Sequence, residues 1–315
     1  MKKLSVIYNV TSECPWNCSI CCMSAKAKKE KDELSWEKKV AVIDMLIELS
    51  KIRDIRCDIS GGELLTDIKN LELLHKLSDG IGKEKVGISI SGAYLSESVA
   101  KELSTIVNDV ELTLDCAPTR FYTLRPKGYH ETAATAAILL KKYNVKVGIQ
   151  TVLTEDNCNT EMMEEQLEWM CNNNIDNWSF IKFFRVGRGM HYPEKAITNE
   201  KWLWYKEKLE KKVKQIEGRT PELDYHYLMP DHVKYTTECR CVKHSIGILP
   251  NGIVTACFWG LDDKRKPLNP LFELGKVPDE KLQEILTNAK ALYWENMNHN
   301  CCLFQEECKN DLLLA

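Results

Sequence analysis

The chain alternates between two hydrophobic periods. Runs in which apolar residues recur at every second position, at residues 4–11, 54–60, 85–91, 109–115, 145–151 and 178–186, predict six strands. Between them the spacing becomes helical: Trp36, Val40, Ile43 and Ile47 follow Ser35, a candidate N-cap, and predict a helix over residues 35–51. Further helical stretches cover residues 70–77, 96–107, 132–143 and 160–172. Such a strand–helix repetition predicts a parallel sheet with helices outside it.

The strands carry a second message. A parallel strand covered on both faces reads as a nearly continuous apolar run, and these strands do not. In four of them one face is apolar: Ile55, Cys57 and Ile59; Val86, Ile88 and Ile90; Val110, Leu112 and Leu114; Val145, Val147 and Ile149. The alternate face is small or polar: Arg56, Asp58 and Ser60; Gly87, Ser89 and Ser91; Glu111, Thr113 and Asp115; Lys146, Gly148 and Gln150. If the apolar face meets the helices, the polar face lines a lumen that holds ligand rather than layers of side chains. The expected fold class is α/β, a partial (β/α)6 barrel of the TIM type, with chemistry in the loops beyond the carboxyl ends of the strands.

After residue 186 the pattern changes. The stretch RVGRGMHY ends the last strand in a glycine-punctuated turn, and residues 199–217 predict a charged helix whose Trp202, Leu203 and Tyr205 pack back on the barrel. From Pro221 onward come six cysteines but too few apolar residues for an independent core, so a metal staple is expected. This places a barrel domain at residues 1–217 and a small cysteine-rich domain at residues 218–315.

Composition and charge exclude several classes. No stretch approaches the roughly 20 apolar residues of a membrane helix, so no membrane partner is expected. The formal net charge of −3, with acids and bases mixed, leaves no footprint for a nucleic-acid backbone, and the basic residues 26–31 read as a solvated loop. A cytoplasmic protein is expected. In that compartment fourteen cysteines are poor disulfide candidates, and their clustering near residues 14–22, 239–257 and 301–308 argues for metal. Cys57, Cys158 and Cys171 fall outside the clusters and read as small buried hydrophobes.

The first cluster, SECPWNCSICCM, sets Cys14, Cys18 and Cys21 at a spacing that gathers three thiolates on one side of an inorganic group and leaves a fourth position open. By itself the loop fits iron–sulfur and zinc equally. After the second strand comes Ser60-Gly61-Gly62-Glu63. Paired glycines let backbone approach a ligand closely, and a carboxylate can accept hydrogen bonds from a ligand ammonium. Such a turn is common alone, but here it would face the same mouth as the cysteine loop.

CPWNCSICC followed by DISGGELL, at matching places in a matching βα order, resembles the radical S-adenosylmethionine (SAM) superfamily across roughly residues 4–187. The resemblance implies that Cys14, Cys18 and Cys21 bind a 4Fe-4S cluster whose open iron chelates SAM, with Gly61, Gly62 and Glu63 at the methionine amino group. Reductive cleavage would then give methionine and a 5′-deoxyadenosyl radical that takes a hydrogen atom from substrate. Ser91, Asp115 and Gln150 have lumen parity and are candidates for ribose, carboxylate or substrate contacts. Cys116 is a candidate hydrogen-atom donor, with a packed cysteine as the other reading. The loop RFYTLRPKGY, residues 120–129, either grips substrate or is a surface loop entering a helix.

In the tail, Cys239 and Cys241 precede the turn Pro250-Asn251-Gly252 and Cys257 follows it, so a hairpin would bring Cys241 and Cys257 together. With Cys301, Cys302 and Cys308 this resembles the SPASM/Twitch appendage of radical SAM enzymes. His299 and Leu312 stand where the full SPASM pattern has cysteines. The resemblance therefore implies the shorter Twitch form with one auxiliary 4Fe-4S cluster on Cys241, Cys257, Cys302 and Cys308, with Cys239 and Cys301 as alternates; a zinc staple is the competing reading. The expected function is a ribosomal-peptide maturase forming a cross-link, thioether or epimer, reduced by a flavodoxin or ferredoxin. The alternatives are a dehydrogenase or decarboxylase of a sugar or nucleoside, a glycyl-radical activase, and a structural zinc protein.

Overall fold

The computed structural model describes residues 3–226 and 240–297. Strands and helices alternate as β1 (Leu4–Asn9), α1 (Trp36–Ser50), β2 (Ile55–Ser60), α2 (Asn70–Ile81), β3 (Val86–Ile90), α3 (Glu97–Ile106), β4 (Asp109–Thr113), α4 (Tyr129–Lys142), β5 (Lys146–Leu153), α5 (Thr160–Asn172), β6 (Asn177–Lys182), α6 (Asn199–Val213) and β7 (Glu222–His226). Then follow β8 (Ser245–Ile248), β9 (Ile253–Thr255), β10 (Glu273–Lys276), α7 (Leu282–Ile285) and α8 (Ala289–Asn296). The ten strands of the described residues form one sheet in the order β10-β9-β8-β1-β2-β3-β4-β5-β6-β7. From β8 to β7 every pair is parallel, while β9 and β10 are antiparallel additions. The sheet is a partial barrel.

The alternation in sequence is the alternation in burial. Ile55, Cys57 and Ile59 of β2 are fully buried, as are Val110 and Leu112 of β4, and they meet Val42, Ile43 and Leu46 on the inner face of α1 within one core cluster. Each such aliphatic side chain contributes about 1.5–3 kcal/mol by leaving water. Ser35 caps α1 by accepting from the Lys38 N–H. The polar faces of β2 to β5 line a cavity of about 900 Å³.

Two features extend the expected barrel. β7 lies beyond the six predicted strands; in ELDYH only Leu223 and Tyr225 pack on the core, the modest signature of a strand whose apolar face alone is covered. The segment expected as a separate unit from residue 218 also shares the barrel's sheet: β8 lies parallel to β1, and Ile246, Val254, Leu274 and Trp294 belong to the barrel's own core cluster. The short apolar runs that looked too small for a core do not need one of their own.

Candidate active site

The cavity opens where β1 to β6 end. Cys14, Trp16, Cys18 and Cys21 line it at the mouth, Arg56, Asp58 and Glu111 lie deeper, and Cys241, Cys257 and Trp259 form the wall contributed by the C-terminal segment. Toward the amino ends of the strands, Arg56 Nη2 bridges Asp58 at 2.8 Å and Asp109, the first residue of β4, at 2.7 Å. Glu111 accepts from Ser179 Oγ at 2.9 Å and from Gln150 Nε2 at 3.2 Å.

The cysteine loop is held in place by backbone. The Gly62 N–H donates to Thr11 O and the Glu63 N–H to Glu13 O, both at 2.7 Å, and the Cys14 N–H closes the loop on Lys26 O at 2.7 Å. A Cβ on Gly62 would stand 2.2 Å from Glu13 O, and one on Gly61 would stand 2.7 Å from Thr11 O. The glycine pair is therefore required by the approach of the cysteine loop itself. Glu33 secures the entry, accepting from the Ser12 N–H at 2.9 Å and from Lys39 Nζ at 2.7 Å.

Several predicted residues take different positions. Glu63, expected at the mouth with its carboxylate toward a ligand, does not line the cavity: Oε1 accepts from the Leu65 N–H at 3.1 Å and Oε2 accepts from the Ser91 N–H at 2.8 Å and from the Ser91 hydroxyl. Burial raises its pKa against these donors. Of the Gly-Gly-Glu motif, only Gly61 and Gly62 face the cavity. Asp115 is also withdrawn, because β4 ends at Thr113 and strand parity no longer governs it. Its Oδ2 accepts from Arg125 Nε at 2.6 Å and its Oδ1 from the Val152 N–H at 2.9 Å. Burial would raise this carboxyl, but Arg125 and His130 outweigh it and pull the pKa down to about 2. Cys116 lies outside the cavity in a small cluster with Ile20, Tyr122 and Phe183, its thiol 3.5 Å from His130 Nδ1 and pushed up to about 12 by burial. That geometry favours a packed cysteine. Ser91 and Gln150 do line the cavity.

Other residues were not singled out from the sequence. Arg125, within the 120–129 loop, lines the cavity with its guanidinium beside Cys18; burial raises that thiol and Arg125 opposes the rise. Tyr129 lies under Arg125 at 5.0 Å and edge-on to Trp16 at 5.3 Å, and Trp16 Nε1 donates to Ser91 Oγ at 2.9 Å. Only the clustering of Arg, Tyr and Lys in that loop hinted at this. Cys14 is pushed up to about 12, chiefly by burial, against a hydrogen bond from the Trp16 N–H.

The sequence profile of the radical SAM superfamily matches residues 8–170, just over half the chain. The chain belongs to the radical SAM superfamily. An uncharacterized protein of Methanocaldococcus jannaschii, MJ0907, is 26% identical over 185 residues, which cover 56% of this chain and 61% of that protein, less than two thirds of its length. Among solved structures, Streptococcus suis SuiB bound to its precursor peptide SuiA superposes with a TM-score of 0.75 at 15% identity, over 94% of this chain and 67% of SuiB. The enzyme anSMEcpe bound to AdoMet and the Cp18Cys peptide gives 0.67 at 18% identity, over 98% of this chain and 86% of the other. At these identities the likeness is one of fold.

The residues of this radical SAM chain fit a 4Fe-4S cluster at the cysteine loop. Cys14, Cys18 and Cys21 line one cavity and supply the thiolate donors that such a cluster takes, with Arg125 beside Cys18; among the described residues no three His, Cys, Asp or Glu side chains are drawn close enough to hold a metal ion as they stand. In the tail, the hairpin forms as expected: β8 and β9 pair with Gly247 opposite Thr255, and both Cys241 and Cys257 line the cavity. Cys239, Cys301, Cys302 and Cys308 lie outside the described residues. Among those described, no helix is long and apolar enough to cross a membrane.

Proposed function

We propose that this chain is a radical SAM enzyme that modifies a peptide, a ribosomal-peptide maturase forming a cross-link, thioether or epimer. The observation that carries the proposal is the single cavity of about 900 Å³ with Cys14, Cys18 and Cys21 at one side and Cys241, Cys257, Phe258 and Trp259 at another. Sites for single small ligands run from about 300 to 1,000 Å³, so this cavity stands at the upper end of that range, with the cysteine loop and the C-terminal segment both on its wall. The fold likeness to two enzymes solved with peptides supports the same reading.

In this reading Cys14, Cys18 and Cys21 would hold a 4Fe-4S cluster, which would supply the electron for reductive cleavage of SAM and so the means to abstract a hydrogen atom from substrate. Gly61 and Gly62 line the cavity beside the cysteine loop, where the methionine end would lie, Trp16 and Tyr129 line it beside them, and Arg125 holds positive charge at Cys18. Ser91 and Gln150 present polar atoms to the lumen. Cys241 and Cys257, which line the cavity, would contribute to an auxiliary 4Fe-4S cluster of Twitch type, for which the sequence offers Cys302 and Cys308 as further ligands, and a flavodoxin or ferredoxin would deliver electrons.

The test is anaerobic reconstitution and mass spectrometry of candidate precursor peptides with SAM and reductant. A peptide mass change accompanied by 5′-deoxyadenosine supports the proposal; 5′-deoxyadenosine formed with a sugar or nucleoside and never with a peptide overturns the substrate class. Replacing Cys14, Cys18 and Cys21 with Ala should abolish 5′-deoxyadenosine while retaining the iron of the second cluster. Full iron retention would overturn the ligand assignment.

A further inference from the structure

Five residues after β6 ends at Lys182, the turn Gly187–Arg188 meets the cysteine loop. Gly187 has φ +54°, and a Cβ there would stand 2.3 Å from Cys22 O and 2.5 Å from Cys21 O. Only glycine both adopts that backbone conformation readily and allows that approach. The next residue then makes three hydrogen bonds to the loop: its N–H donates to Cys21 O at 3.0 Å, its Nε to Cys18 O at 2.8 Å, and its Nη1 to Ala25 O at 2.7 Å. On the other side, the Gly187 N–H donates to Leu261 O at 2.9 Å, in the segment that follows Cys257.

We propose that Arg188 is a positioning residue that fixes the cysteine loop in its ligand-ready conformation before any cluster is present. The proposal rests on reading Cys14, Cys18 and Cys21 as the cluster ligands. Arg188 does not line the cavity; its side chain acts through the carbonyls of Cys18 and Ala25, while its backbone N–H, which every variant keeps, holds the carbonyl of Cys21. Cys18 thereby has Arg125 beside its thiol and Arg188 on its carbonyl. A loop of this length without regular secondary structure would otherwise sample many conformations, and ordering it would oppose cluster binding. The planar guanidinium suits the task because its Nε and Nη1 donors diverge in a fixed fork and meet the two carbonyls separately, whereas a lysine ammonium offers its donors from a single nitrogen.

The test uses Arg188→Ala, Arg188→Gln and Arg188→Lys, with Arg120→Ala as a control that removes an arginine from a surface ion pair with Glu161 and Glu165. In the metal-free protein, hydrogen exchange of the amides in residues 14–26 should accelerate by about 10-fold or more in Arg188→Ala, because each lost charge-assisted bond is worth that much. Exchange in β1 to β6 should stay as in the wild type, and Arg188→Lys should fall between the two. After reconstitution, a chelator should strip iron from Arg188→Ala several-fold faster than from wild type or Arg120→Ala. If Arg188→Ala fails to fold, the same comparison is read in Arg188→Gln and Arg188→Lys. Unchanged exchange across residues 14–26 overturns the clamp, whether or not iron binds. If exchange accelerates but the wild type and its triple cysteine variant hold equal iron, the clamp stands and the ligand reading fails.

Discussion

Two buried carboxylates flank the cysteine loop and behave in opposite ways. Glu63, beyond β2, is fully buried and surrounded by neutral donors, and its pKa is raised. Asp115, beyond β4, is just as buried, yet the Arg125 guanidinium and His130 overcome the burial and hold it at about 2. The difference shows that depth does not decide ionisation here; the charge of the nearest donor does. Each carboxylate also steadies one side of the loop at second hand. Glu63 fixes Ser91, which receives Trp16, and Asp115 fixes Arg125, which reaches Cys18.

The sharpest way to break the contrast is to remove the charge at Asp115. Asp115→Asn keeps a carbonyl for the Val152 N–H but leaves Arg125, whose side chain is only 9% exposed, without its counter-ion. A loss of about 3–5 kcal/mol in unfolding free energy is expected, because a buried charge is left uncompensated. Asp115→Asn combined with Arg125→Leu should regain much of it, since replacing both charges avoids that penalty. Denaturant midpoints of the singles and the double measure the coupling. Additive losses would mean that the pair is not the source.

Much of this was legible in the sequence, and the limits have physical causes. Strand positions could be read because one face of each strand packs on helices and the other faces the lumen, so Gln150, inside β5, lines the cavity as its parity requires. Asp115 broke the rule because β4 stops two residues earlier and the chain turns away. Cys14, Cys18, Cys21 and the glycine pair were legible as residue types at meaningful spacings. The partner of Glu63 was not, because hydrogen bonds between strand ends depend on where each strand stops. Arg188 left still less trace: its partners are backbone carbonyls, which carry no residue identity.

The same contrast predicts opposite pH slopes. Asp115 has a depressed folded pKa, so its contribution of roughly 2–3 kcal/mol is present above the unfolded value of about 3.9 and is lost as pH falls through about 2. Glu63 has a raised folded pKa, so its contribution is present below the unfolded value of about 4.3 and is lost as pH rises through the folded pKa. Glu63→Gln should remove that loss, while costing about 1–3 kcal/mol because an amide NH2 would face the Ser91 donors. Stability measured against pH should therefore become less steep on the acid side in Asp115→Asn and less steep on the alkaline side in Glu63→Gln. Changes on the same side in both variants would overturn the electrostatic account.

The smallest effect is expected at the end of the Glu63 chain. Trp16→Phe removes the 2.9 Å bond from Trp16 Nε1 to Ser91 Oγ but preserves an aromatic ring for the edge-on contact with Tyr129. Ser91 keeps its bonds to Glu63, and Trp16 is only half-buried, so water can take the place of the indole N–H. A loss of about 0.5–1.5 kcal/mol is expected for one neutral hydrogen bond. In a Glu63→Gln background the Trp16→Phe loss should shrink, because Ser91 is then no longer held in the orientation that receives the indole. A double-mutant cycle on denaturant midpoints measures this, and full additivity would show that Trp16 is positioned by its ring contacts alone.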